Sequence, residues 1–420
     1  MKSVSNIKLD AVDIIVLTIM IFLIEGSAFF VAYDWFIIFV FILFSTIFLL
    51  KRKEVDTGFL WTLAFWVILN FVSAIVNGHL SLSLFLGSII KICIPYLAVK
   101  ILGYQFFEKF FKFCFFLVIT SSVCYIFEVL FPSVVKSVTP YLNFLEHWRM
   151  LANGDFYIFF YNHLGEYNEY YGVFPRNCGF MWEPGAYAMM LNILIPYKLH
   201  RDNYQIDAPL ILMFLALVST FSTAGYFGIV IVLLFLIFRK KTRFSFFVVP
   251  VLLAALVIFS YRLYNSADFM SEKIDQYMEV GDDVREASFE NDSWLRVTRV
   301  GMAMIALDNS TVHPWGDGVN MSTYVLRKYG NVTSANSLAG VFMKWGWIGF
   351  IFLVLAIYKL CPGPSKGLGP MLLLPFLISM FSNPYSATQY LIFFIFFYSI
   401  VCKNYRRDWN SSCSKSNALK

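Results

Sequence analysis

Solid apolar runs, rather than alternation, organise this chain. Ile229 to Phe238 contains no polar residue, and Phe36 to Leu50 is broken only by Ser45-Thr46. Such runs lack the period of two that marks a half-buried strand. In lipid every backbone N–H and C=O must be satisfied within the structure, and continuous apolar runs achieve this as helices. The pattern predicts spans at 11–31, 35–50, 59–77, 82–101, 111–131, 183–199, 208–223, 225–238, 244–262, 336–358, 369–383 and 388–402. The apolar stretch 208–238 is long for one span and short for two. Ser222-Thr223-Ala224-Gly225 in its middle reads as a tight turn or broken-helix point.

Composition narrows the class. Apolar residues make up 59% of the 420 residues and charged residues 14%, with a mean hydropathy of +0.67. Soluble domains average roughly 45–50% apolar and 25% charged. An ordinary cytosolic enzyme, a disordered chain and a secreted disulfide scaffold are excluded, and a β-barrel would alternate. The expected fold class is an all-α polytopic membrane protein of about twelve transmembrane helices, 1–420 forming one integral membrane domain. The first apolar run lacks a small-residue cleavage site and reads as a retained span.

Charge then orients the spans. With both termini cytoplasmic, alternate short loops carry Lys51-Arg52-Lys53, Lys100/Lys109/Lys112, Lys198/Arg201, Arg239-Lys240-Lys241/Arg243, Lys359/Lys366 and Lys403/Arg406/Arg407. Together with Lys2, Lys8, Lys415 and Lys420 these are most of the 33 basic residues, as the positive-inside rule requires. The alternation holds only if 208–238 crosses twice. Two long segments, 132–182 and 263–335, then fall outside. They contain Trp148, Trp182, Trp294 and Trp315, which is not a disordered composition. The partner implied by this charge layout is the lipid bilayer, not nucleic acid. Seven Cys form no CxxC pair and five His form no HExxH, so neither a metal nor a cofactor is expected.

Four outer or intramembrane features carry candidate chemistry. Arg176-Asn177-Cys178-Gly179-Phe180-Met181-Trp182-Glu183-Pro184-Gly185-Ala186 closes the first long segment. Either Glu183 and Pro184 merely start a helix, or Arg176 binds an anionic head group while Glu183 manages a proton. Arg296 and Arg299 lie three apart and share a helical face. They suit a diphosphate through bidentate donors, or simply answer Glu286, Glu290 and Asp292 in solvent. His313-Pro314-Trp315-Gly316-Asp317-Gly318 is a tight turn with His313 as a possible base and Asp317 as an acid, or else a surface loop. Arg327 and Lys328 follow, as phosphate ligands or interface anchors. Within the spans Lys91, Lys344, Glu25 and Glu128 are ionisable, and such residues are functional candidates by default.

In chain order, these features resemble the O-antigen polymerase/ligase-like family. The likeness rests on Arg176…Gly179-Phe180-Met181-Trp182-Glu183-Pro184-Gly185 and on Ser219-Thr220-Phe221-Ser222-Thr223-Ala224-Gly225 between close spans. It continues through Arg296/Arg299 leading to His313–Gly318, and through Asn336 followed by Lys344-Trp345-Gly346-Trp347-Ile348-Gly349-Phe350. It covers roughly residues 170–350. The resemblance implies a GT-C-like integral glycosyltransferase of the inner (plasma) membrane. It would move a growing glycan from undecaprenyl diphosphate to a lipid-linked repeat unit on the periplasmic face. It implies that Arg176, Arg296, Arg299 and Arg327 hold the diphosphate, and that a chain-length regulator and a flippase are partners. Asn336 stands where ligases often carry a His, and the paired Arg-x10-Gly loop motifs of some polymerases are absent. The base stays open between Glu183 and His313. The alternatives are an O-antigen ligase, or a flippase or transporter of lipid-linked oligosaccharide.

Overall fold

A computed structural model describes residues 8–24, 34–76, 81–142, 156–163, 175–239, 295–296, 299–318, 323–329, 332–333, 336–358, 368–382 and 390–401. The helices are α1 (Ala11–Ile24), α2 (Asp34–Leu50), α3 (Thr57–Val76), α4 (Leu82–Leu102), α5 (Phe106–Leu130), α6 (Pro132–Leu142), α7 (Pro184–Arg201), α8 (Ala208–Val218) and α9 (Thr223–Arg239). They continue as α10 (Arg299–Val312), α11 (Thr323–Tyr329), α12 (Ser337–Tyr358), α13 (Leu368–Ser382) and α14 (Tyr390–Val401). Helices occupy eleven of the twelve expected segments, and 244–262 lies outside the described residues. By length and composition, three described stretches suffice to cross a membrane: Thr57–Ile75, Leu82–Leu130 and Ser337–Leu355. The second of these covers α4 and α5, joined by a short 3-10 turn at Gly103–Gln105. Six shorter apolar helices accompany them. The architecture is that of a helical multi-pass membrane protein.

The largest apolar cluster among the described residues is drawn from α1–α5, α7–α9 and α12–α14. α7 runs through it, buried along nearly its whole length. α13 packs against α7, α9 and α12. Large apolar side chains such as Leu50, Trp61, Ile75, Leu82 and Leu130 remain exposed. Such a surface suits lipid rather than water.

Polar residues sort to the two ends. At one end Lys100 bonds both carboxylate oxygens of Asp56 at 2.8 Å, with Tyr96 also on Asp56. Lys109 pairs with Asp13 at 2.7 Å, and Arg201 and Tyr197 meet Glu108. Lys198 is tied to Asp202 and Asp207. These are the ends that the charge pattern puts in one compartment. Asp56 is buried, so losing its charge leaves Lys100 uncompensated. Asp56→Ala is expected to cost about 3 kcal/mol, read as a lowered thermal midpoint of the detergent-solubilised protein. An unchanged midpoint would show the pair to be idle.

The 208–238 run breaks slightly earlier than its sequence suggests. α8 stops at Val218 and α9 begins at Thr223. The hydroxyls of Ser219 and Thr220 bond back to Ala216 O and Leu217 O, competing with helix continuation. Phe221 takes a φ of +48°. A Cβ on Gly225 would meet Ala188, and one on Gly228 would meet Asn192. Both positions advance together, so α7 and α9 run in the same direction and α8 returns between them. α8 has 11 residues, roughly 16 Å of helix and about half the hydrocarbon thickness.

Two short two-stranded sheets were not anticipated. β1 (Phe156–Ile158) pairs antiparallel with β2 (Tyr161–His163), and β3 (Leu295–Arg296) pairs parallel with β4 (Val332–Thr333). They lie in the two long segments 132–182 and 263–335.

Candidate functional site

Two helix interruptions are each filled by a polar connecting segment. The first is the end of α8, whose last carbonyls have no helical partner. Asn177 N–H donates to Ser219 O at 3.0 Å. The Arg176 guanidinium donates from Nε to Thr220 O and from Nη2 to Phe221 O, each at 3.2 Å. Arg176 thus commits two of its N–H groups to the broken helix, a use that the sequence did not suggest. Gly179, at φ +55°, lies against the ring of Tyr187, where a Cβ would come within 2.4 Å. Glu183 takes the N-cap position of α7 with Pro184 following, yet its carboxylate makes no cap hydrogen bond.

The second interruption lies inside α12, at Gly346, whose φ of 60° and ψ of −158° are non-helical. The His313–Gly318 turn inserts here. Asp317 N–H donates to Met343 O at 2.8 Å and Gly318 N–H to Lys344 O at 2.9 Å. The backbones cross so closely that a Cβ on Gly346 would lie 2.1 Å from Pro314 O, and one on Gly316 would lie 2.4 Å from the Lys344 carbonyl carbon. Gly318 rests on Ser73 and Asn70 of α3. Asp317, almost fully buried, bonds His313 Nδ1 at 2.6 Å and accepts from Asn309 at 2.6 Å. A carboxylate on Nδ1 orients an imidazole and sets its tautomer.

The stretch that matches a known family contains both interruptions. A family model described as O-antigen ligase (Wzy_C) matches residues 208–354, from the start of α8 into α12. Over this segment, about a third of the chain, the protein is similar to the O-antigen polymerase/ligase-like family. No curated protein matches the chain. Members of this family are membrane enzymes that act on lipid-linked glycans.

Among the family-matched residues, Arg299 is the first residue of α10 and His313 follows its last. The helix has 14 residues, so the two lie roughly 20 Å apart. Arg296 belongs to β3, paired with Thr333, and Arg327 to α11. The side chains of Arg296 and Arg327 are outside the described residues. α11 is fastened to α10 by Asp308, which accepts from Lys328, Tyr324 and Tyr329, each at 2.9 Å. These bonds, that of Lys328 first, hold the Asp308 carboxyl below its ordinary range. Asn336 spends its side chain on the backbone, Nδ2 on Arg299 O and Oδ1 on Ala339 N–H. An amide so used is no base. Lys344 lies within electrostatic reach of Lys91 of α4, a proximity that no spacing reveals.

Tyr161 and His163 were missed at the level of sequence, where Glu128 was read only as an ionisable residue within a span. Glu128, near the end of α5, is buried. It accepts a hydrogen bond from Tyr161 and lies 2.9 Å from His163 Nδ1. Burial, and then the Glu128 charge, pushes the Tyr161 phenol well up, so this hydroxyl stays a donor. The only available signal was an acid inside an apolar run. Its partners lie more than thirty residues away in a segment without periodicity.

Proposed function

We propose that this protein is the polymerase of surface-polysaccharide repeat units. It transfers a growing glycan from undecaprenyl diphosphate to a lipid-linked repeat on the periplasmic face of the inner membrane. In this reading the chain crosses the membrane twelve times with both termini cytoplasmic, and 132–182 and 263–335 are its large periplasmic segments. A flippase would supply the substrate and a chain-length regulator would stop growth.

The observation that supports the reading best is the pair of helix interruptions within the family-matched residues. Each is filled by an outer segment with an Arg or an acid-held His. Irregular backbone at membrane depth is tolerated where it lines a site. Arg176, Arg296, Arg299 and Arg327 would neutralise the diphosphate and stabilise it as a leaving group. Glu183 or His313 would take the proton of the attacking hydroxyl. The span of α10 means that a substrate touching both Arg299 and His313 extends along that helix, with the diphosphate at one end and sugars toward the other.

Purified protein in liposomes holding only polyprenyl-diphosphate-linked repeats tests this. The expected product is a ladder of extended glycans. Transfer to a lipid core alone would make the protein a ligase. Movement across the bilayer without a new glycosidic bond would make it a transporter.

A further inference from the structure

Tyr161 and His163 stand two residues apart on β2, so their side chains share a face. Both close on Glu128 of α5, which is only 4% exposed. Asn162, between them, faces the other way. Its N–H donates to Gly179 O at 2.9 Å and its side chain to Trp182 O at 2.8 Å and Met181 O at 3.3 Å. Tyr125 of α5 adds a bond to Pro175 O at 2.9 Å. One face of the strand therefore grips a buried carboxylate. The other grips the turn that runs from Arg176 to Glu183.

From this juxtaposition we infer that His163 is the proton acceptor of the glycosyl transfer and that Glu128 is its positioning residue. The inference rests on the glycosyl-transfer reading above and puts His163 in the place that reading gives to Glu183 or His313. Glu128, already accepting from Tyr161, takes the Nδ1 proton of His163 as a hydrogen bond. That tautomer puts the imidazole lone pair on Nε2. The acceptor hydroxyl oxygen forms its bond to the anomeric carbon while the bond from that carbon to the diphosphate oxygen breaks. The bonding pair leaves with the polyprenyl diphosphate. The hydroxyl proton passes to His163 Nε2, and the imidazolium returns it to water before the next turnover. His313 has a similar carboxylate partner but sits at the far end of α10 from Arg299. His163 instead adjoins the segment that carries Arg176.

The test uses full-length protein in liposomes with polyprenyl-diphosphate-linked repeats. His163→Gln is expected to lower kcat on the order of 10²–10⁴-fold with KM nearly unchanged. The acid-side fall in rate of the wild type, caused by protonation of the base, should be missing from the residual activity. Added imidazole should restore part of the rate of His163→Ala. A His163→Gln protein that turns over like the wild type, or keeps the wild-type pH profile, overturns the inference alone. A wild type that moves no glycan to any acceptor overturns the transfer reading as well. Should His163→Gln fail to accumulate, Glu128→Gln carries the test. Its acid-side limb must be displaced from the wild type, and coincident profiles overturn the inference.

Discussion

Gly346→Ala is expected to leave a protein whose thermal midpoint in detergent falls sharply. The residue sits at a positive φ inside α12, with Pro314 O where a Cβ would go. The backbone strain costs about 1–3 kcal/mol. Displacing the turn also loosens the bonds from Asp317 N–H to Met343 O and from Gly318 N–H to Lys344 O. The total is on the order of 3–5 kcal/mol, a large part of the roughly 5–15 kcal/mol that holds a typical domain folded. Gly316→Ala should behave alike, because it meets the Lys344 backbone from the other side. Gly87→Ala is the control: nothing lies within 4 Å of its Cβ position on α4. Equal midpoints for Gly346→Ala and Gly87→Ala would refute the interlocked crossing.

The second large effect is expected at Arg176. Arg176→Ala should lower chain extension on the order of 10²–10³-fold, as losing a donor to a developing anion does. It also strips Thr220 O and Phe221 O of their donors, so a modest drop in thermal midpoint should accompany the loss. Arg176→Lys should not rescue. A guanidinium reaches two carbonyls with separate N–H groups in a fixed fork, and an ammonium on a flexible stem does not reproduce that geometry. Glycan ladders from cells with matched protein levels provide the readout. Full-length ladders from either variant would remove Arg176 from the machinery.

The difference between these two residues shows what was legible in the chain. Gly346 stood out in sequence only as part of Lys344-Trp345-Gly346-Trp347. Nothing in a helical apolar run says that a turn from thirty residues upstream will enter it. Arg176 was legible as a cation at a membrane surface, but its grip on the end of α8 was not. That contact joins residues more than forty apart. The break between α8 and α9 was visible in Ser, Thr and Gly. Its position moved by a few residues because hydroxyl back-bonding, which propensity averages over, ends α8 early. His163 was passed over as one of five scattered histidines, since a histidine gains chemical meaning only from the neighbour that holds its ring.

The sequence by itself determined that this chain is a helical membrane protein, where most of its helices run, and that most of its basic residues fall in alternate short connections. Those properties follow from hydropathy and charge, which act locally and need no partner. Only the tertiary structure decided which polar groups meet: the acid under His163, the carbonyls under Arg176, the turn inside α12. Such pairings are fixed by how helices and loops pack against one another, and no local pattern encodes the distance between two segments far apart in the chain.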